Sequence, residues 1–168
     1  MRCLVATIFP LFFILVVPLP GAGQVGEDLE EVGAWVVQVA VDPMTDEETA
    51  FALLVEDSES GSIAFRCAES GFDLMVSPGF VSRDFSVRWR LGDDEPSDWV
   101  SSWGRSTNNR TAFARSNDRD LLLSGVMEVN RLAIQVRDRS GMTTLSFTDL
   151  DPADTREALA HLNCADGT

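Results

Sequence analysis

DFSVRWRLGDDEP, residues 84–96, holds the cleanest period of two in the chain. Phe85, Val87, Trp89 and Leu91 alternate with Asp84, Ser86, Arg88 and Arg90, which predicts a strand with Trp89 turned to the core and the arginines to solvent. Gly92-Asp93-Asp94-Glu95-Pro96 closes that strand as an acidic turn.

Toward the N-terminus the same pattern repeats. Trp35, Val37, Val39 and Val41 fall on one side of a strand, with Val36, Gln38 and Ala40 on the other. Asp42, Pro43, Thr45 and Asp46 make the next turn. Three further apolar runs, Ala50 to Val55, Ile63 to Cys67 and Phe72 to Val76, are separated by polar, glycine and proline segments, the spacing of an antiparallel meander. Toward the C-terminus, a serine-containing irregular stretch carries Trp99 and Trp103 and leads to a short strand over Thr111 to Ala114. Leu121 to Val129 fits one or two helical turns better than alternation. Leu132 to Val136 and Met142 to Phe147 predict a hairpin across Ser140-Gly141. A final helix is marked by Asp151 as N-cap, Pro152 at the first helical position, and Asp154 and Glu157 near the positive end of the helix dipole. Ala158, Leu159 and Leu162 form its core stripe, and it ends near Cys164. The expected fold is mainly β: an antiparallel, sandwich-like domain of about eight strands with a C-terminal α-helix.

The first residues have a different character. Arg2 precedes an apolar run from Leu4 to Leu19, and Gly21, Ala22 and Gly23 follow, the three parts of a cleavable signal peptide over residues 1–23. Pro10, Pro18 and Pro20 interrupt the run, which falls short of the roughly 20 apolar residues that span a bilayer. Residues 24–33, with Glu27, Asp28, Glu30 and Glu31, are expected to be an acidic, solvated lead-in. Residues 34–168 then form a single β-rich domain, periplasmic or secreted, with no stable membrane insertion after cleavage.

All 13 basic residues are arginine, and the single histidine is His161. Cleavage removes Arg2 and leaves 12 basic against 27 acidic residues, a net charge of −15. A chain of that charge does not attract nucleic acid or an anionic membrane through its overall field. Cys3 leaves with the leader, so Cys67 and Cys164 remain as an even pair in an exported chain. They are expected to form a disulfide; two buried thiols are the alternative, and with one histidine they fall short of a four-ligand metal set. No cofactor is implied.

Catalytic signals are sparse. The lone His161 lies on the terminal helix, and there is no G-x-S-x-G turn, phosphate loop or zinc-helix motif. The acidic clusters Asp42 to Glu48 and Asp93 to Asp98 suit turns and solvated charge; in the alternative reading they supply the carboxylate pair of a small envelope glycan hydrolase. Binding signals are better developed. Ser101 to Asn117 carries Arg105, Arg110 and Arg115 and no acid. With Trp99 and Trp103 beside them, these residues are the candidate surface for an envelope protein or glycan partner, set against polar-loop and core-capping roles for the same residues.

The order of landmarks is itself distinctive: Trp35; Asp42-Pro43-Met44-Thr45-Asp46; Ala64-Phe65-Arg66-Cys67; Val87-Arg88-Trp89-Arg90; Trp99; Leu132-Ala133-Ile134-Gln135-Val136-Arg137; Phe147-Thr148-Asp149-Leu150; and a helix ending in Cys164. From Trp35 to Cys164 this resembles the TagO/VasI-like proteins associated with type VI secretion, small exported accessory factors of Gram-negative bacteria. The family tends to have glycine where this chain has Asp149 and an aromatic residue where it has Ala165. The resemblance implies a non-enzymatic accessory or interaction module of the cell envelope, in some relatives assisting assembly of the secretion apparatus. It carries over Cys67 and Cys164 as paired cysteines and Trp35, Arg66, Trp89 and Trp99 as pattern positions, with no catalytic residue.

Overall fold

The structure, a computed structural model, describes residues 28–41, 44–56, 61–68 and 71–162. The expected signal peptide and Cys164 lie outside the described residues. The chain is mainly β, with two antiparallel sheets and two helices among the described residues, the second toward the C-terminus. Strands β1 (Asp28–Val32), β2 (Trp35–Val41), β3 (Glu48–Val55), β4 (Ser62–Ala68) and β5 (Gly71–Ser77) pair in sequence order as a meander. The sheet continues through β8 (Ala112–Phe113) to β7 (Gly104–Arg105) at its edge. The smaller sheet has the order β10 (Gly141–Phe147), β9 (Leu132–Asp138), β6 (Ser86–Leu91). Helix α1 (Ser116–Val126) follows β8, and α2 (Pro152–Ala160) follows β10.

Alternation decides which side chains meet between the layers. From the large sheet come Trp35, Val37, Ala52, Leu54, Ile63, Phe65, Leu74 and Val76; from the small one come Val87, Trp89, Leu132, Ile134, Val136, Leu145 and Phe147, all buried. The alanine at 52 has a packing consequence. Ala52 stands opposite Phe65 on β4 while Leu54 stands opposite Trp35 on β2, so the two rings lie one row apart across β3, and the short alanine side chain leaves room for them to approach to 5.9 Å between centroids.

The helices complete this core. Asp151 caps α2 by accepting the Ala153 N–H at 2.7 Å, and Pro152 occupies the first turn, as the sequence predicts. The helix is fixed to β2 by a buried hydrogen bond, Trp35 Nε1 donating to Thr155 Oγ1 at 3.0 Å. Gly33, in the turn between β1 and β2 with φ 58°, lies so close to Asp154 that a side chain there would strike the carboxylate. Helix α1 buries Leu122 and Val126 and clamps the start of β5, where Arg119 donates to the Phe72 carbonyl at 2.7 Å.

Two expectations are corrected. Residues 28–32 are not a solvated lead-in but the edge strand β1, paired with β2 from Asp28 opposite Val39 to Val32 opposite Trp35. Val32 is buried while Glu30 and Glu31 are exposed, so the charges line a sheet edge rather than a solvated lead-in. The stretch before residue 121 is also more regular than expected: β7 and β8 form a small hairpin, and the helix begins at Ser116.

Thr155→Val keeps the shape at this position but leaves the Trp35 N–H buried without an acceptor. It is expected to cost about 1–3 kcal/mol in urea unfolding, whereas Thr155→Ser, which retains the hydroxyl, costs less. Equal losses would mean that the hydrogen bond does not hold α2 to the sheet.

Candidate functional site

Strand β6 also builds the candidate surface. Arg88 and Arg90 point outward from β6, as its alternation predicts. Cross-strand register places Arg137 of β9 opposite Ser86, Gln135 opposite Arg88, and Ala133 opposite Arg90; on β10, Met142, Thr144 and Ser146 continue the same rows. None of these nine outward positions is acidic, although the chain carries 27 acidic residues.

The segment after β6 turns back along it. Val87 and Val100 exchange backbone hydrogen bonds at 2.8 Å, and Ser97 N–H donates to the Trp89 carbonyl at 2.8 Å. Residues 97–100 thus extend the small sheet at its β6 edge. This lays the Trp99 ring on the outer face, 4.5 Å from the Arg88 guanidinium carbon and 4.1 Å from that of Arg137. Arg88 Nε also donates to Gln135 Oε1 at 2.7 Å, and Gln135 Nε2 donates to Thr144 Oγ1 at 3.0 Å. One ordered polar row therefore runs across β10, β9 and β6 to the indole. Beside it, Arg88, Arg90, Pro96, Ala133 and Gln135 border a shallow cavity of about 180 Å³.

Arg66, Arg119, Arg131, Arg139 and Arg156 each meet a carboxylate. Among the described residues, Arg88, Arg90 and Arg137 have no carboxylate within 4.0 Å. Arg83, Arg105, Arg110 and Arg115, scattered over loops and the β7–β8 hairpin, also lack a carboxylate within 4.0 Å among the described residues, so it is the gathering of unpaired arginines on one sheet that marks this face. Stacking on Trp99 and the bond to Gln135 limit the freedom of two of these side chains without neutralising them. Their remaining N–H groups are fixed donors for an oxyanion.

The residues singled out from sequence separate. Trp103 is 5% exposed, stacks 6.1 Å from Trp89, and donates from Nε1 to Asp118 at 2.8 Å; it belongs to the core and is not part of a surface. Trp99 joins Arg88 and Arg137 rather than the arginines that follow it. Arg105 donates to Asn109 in the β7–β8 hairpin, Arg115 donates to the Ser102 carbonyl, and Arg110 is exposed in the same hairpin. Arg88 and Arg90 were already legible as outward residues. Arg137 was not placed with them, because register between strands about fifty residues apart cannot be read from local pattern.

The two acidic clusters sit in different turns. Asp46 is exposed in the connection between β2 and β3, and Asp93 is exposed in the turn after β6, where it pairs with Arg131. A cavity of about 230 Å³ beside the β9–β10 turn carries one carboxylate, Asp138. The Ser140 hydroxyl and N–H and the Ser82 N–H hold that carboxyl below its ordinary value of 3.8, outweighing the opposing effect of burial. These hydrogen bonds tie the hairpin turn to the approach to β6. Comparison with protein-family models, curated proteins and solved structures finds no match.

Trp35, Trp89 and Trp103 are all below 7% exposed, so Trp99 dominates any quenchable fluorescence. Replacing Arg88 and Arg137 together by alanine is expected to raise acrylamide quenching and to cost about 1–2 kcal/mol, on the order of two cation–π contacts. Unchanged quenching would show that the guanidinium groups do not cover the indole.

Proposed function

We propose that the chain is an exported, non-enzymatic interaction module of the bacterial cell envelope, an accessory of the type VI secretion kind, with the outer face of the small sheet as its recognition surface. The observation that carries this reading is the acid-free face around Arg88, Arg90, Arg137 and Trp99 on a chain of strongly negative charge. Holding like charges together on a sheet opposes folding, and a partner's anionic groups relieve that cost on binding. The arginines project from paired strands instead of a mobile loop, so little side-chain or backbone order has to be gained on association. The arrangement suits binding better than glycan hydrolysis, which requires two carboxyl groups across one cleft.

Two further observations support kinship with the TagO/VasI-like proteins. Asp149 adopts φ 57°, a conformation that favours glycine, at the position where that family tends to have glycine. Cys67 lies on the inner side of β4 with Ile63 and Phe65 and packs against the core. From Thr155 beside Trp35, α2 passes to His161, whose Nδ1 is 3.6 Å from Glu30 of β1. That course leads from the start of β2 toward the level of Val39, the level shared by Ala50 and Cys67. Leu162 is buried at the end of this path, two residues before Cys164, and closure of Cys67 with Cys164 would fasten the last element to β4.

The export reading predicts a mature form that begins near Gln24 and, when isolated without reductant, yields one peptide pair joining Cys67 to Cys164. Intact and peptide mass spectrometry would reveal both; a retained leader or two free thiols would refute the corresponding claim. The interaction reading predicts that the mature domain captures a discrete partner from envelope extract. An Arg88/Arg90/Arg137→Ala variant, destabilised by the loss of the two cation–π contacts but still folded by circular dichroism at the capture temperature, should lose it. Identical captures by the two baits would rule out this face as the recognition surface.

A further inference from the structure

We infer that the partner group read by the small sheet is an extended protein segment bearing carboxylates at alternate positions. The inference rests on the interaction reading above and adds the chemistry and spacing of the ligand. Arg88 and Arg90 are two residues apart on one strand, so their side chains leave the same face about 7 Å apart along it. An extended peptide repeats its own side chains at that interval, whereas a helix places residues two apart on different faces. Arg137, one row beyond Arg88 on β9, lies diagonally from that pair and widens the donor set.

The donor chemistry favours carboxylate. A guanidinium presents two parallel N–H groups that match a planar carboxylate, and Arg90 and Arg137 have no carboxylate partner within 4.0 Å among the described residues. Sugar stacking is disfavoured by the same geometry, because the Trp99 ring that would serve as platform already has two guanidinium groups against it. A membrane surface is disfavoured by the rim. Asp84, Asp94, Glu95 and Asp98 are all exposed around this face. A broad anionic surface would bring them within a Debye length of its own charge, about 8 Å at physiological ionic strength. A single narrow segment can touch the arginine rows and leave the rim in water.

The test uses the mature, full-length domain and three synthetic peptides: Glu-Thr repeats, Gln-Thr repeats, and a peptide with the same number of glutamates in one contiguous block. Binding is read by calorimetry and by Trp99 quenching at physiological salt. The Glu-Thr peptide is expected to bind, the Gln-Thr peptide to fail, and the block peptide to bind several-fold more weakly. Arg90→Ala and Arg137→Ala are each expected to weaken Glu-Thr binding about tenfold, the equivalent of one charge-assisted contact, with the unfolding midpoint unchanged for Arg90→Ala and the fold retained at the assay temperature for Arg137→Ala. Equal binding of block and alternating peptides would overturn the spacing. Binding to phosphatidylglycerol vesicles in preference to any peptide would overturn the choice of ligand. If no acidic peptide binds while envelope capture still depends on the three arginines, this inference fails and the interaction reading stands. If capture is independent of the arginines, the interaction reading fails on its own evidence.

Discussion

Three strands cannot cover seven. The inner face of the large sheet runs from Val32 on β1 to Ala112 on β8, and the small sheet, even with residues 97–100 added to its edge, is too narrow to seal it. The two helices close the difference. At one side α2 reaches β1 and β2, and Thr155 satisfies the indole N–H of a tryptophan that is otherwise enclosed by apolar atoms. At the other, α1 covers the beginning of β5 with Leu122 and Val126 and is tied down by Arg119. On the outer side of the small sheet the Trp99 ring lies over Arg88 and Arg137, and the rest of that face is open to solvent or to a partner.

That division of labour explains why the two sheets present different outer surfaces. The large sheet carries Val36, Phe51, Leu53 and Ala64 outward, and its arginine there, Arg66, is paired with Asp73. The small sheet carries no neutralising acid among its outward residues. Arg88 and Arg137 are nevertheless held in place, both by an indole and Arg88 also by an amide that is itself held by a threonine. A surface that merely needed solubility would gain nothing from such ordering, since exposed arginines are solvated as well in many conformations as in one. Ordering without neutralisation makes sense when the counter-charge arrives from elsewhere.

How much of this was legible in the sequence depended on whether the signal was local. The alternation from Asp84 to Leu91 gave a strand, its inward tryptophan and its outward arginines. The Asp151-Pro152 start gave α2, and the apolar runs through Val76 gave the meander. Strand β1 was missed because Glu30 and Glu31 mimic a solvated tail, whereas an edge strand tolerates charge along its outer side. Trp99 and Trp103 could not be told apart, being four residues apart in one irregular stretch. Their fates are set by distant partners: Asp118 and Trp89 draw Trp103 inward, and Arg88 with Arg137 receives Trp99 outside.

The same non-locality moves the candidate surface from one group of arginines to another. Arg105, Arg110 and Arg115 are close in sequence, but the hairpin that carries Arg105 and Arg110 uses Arg105 on Asn109, while Arg115 reaches the Ser102 carbonyl. Arg88 and Arg137 are 49 positions apart, and antiparallel pairing brings them over one ring. Proximity in sequence had suggested a loop whose charges could serve its own carboxylates. Proximity in the sheet instead gives a row with regular spacing, and regular spacing is what a repeating partner can match. A loop of free arginines can bind anions of many shapes, but a strand with donors every second residue selects for a ligand that is also extended. On the proposed reading, specificity would come from the backbone period of β6 and from the cross-strand pairing with β9 that lays Arg137 over the same indole.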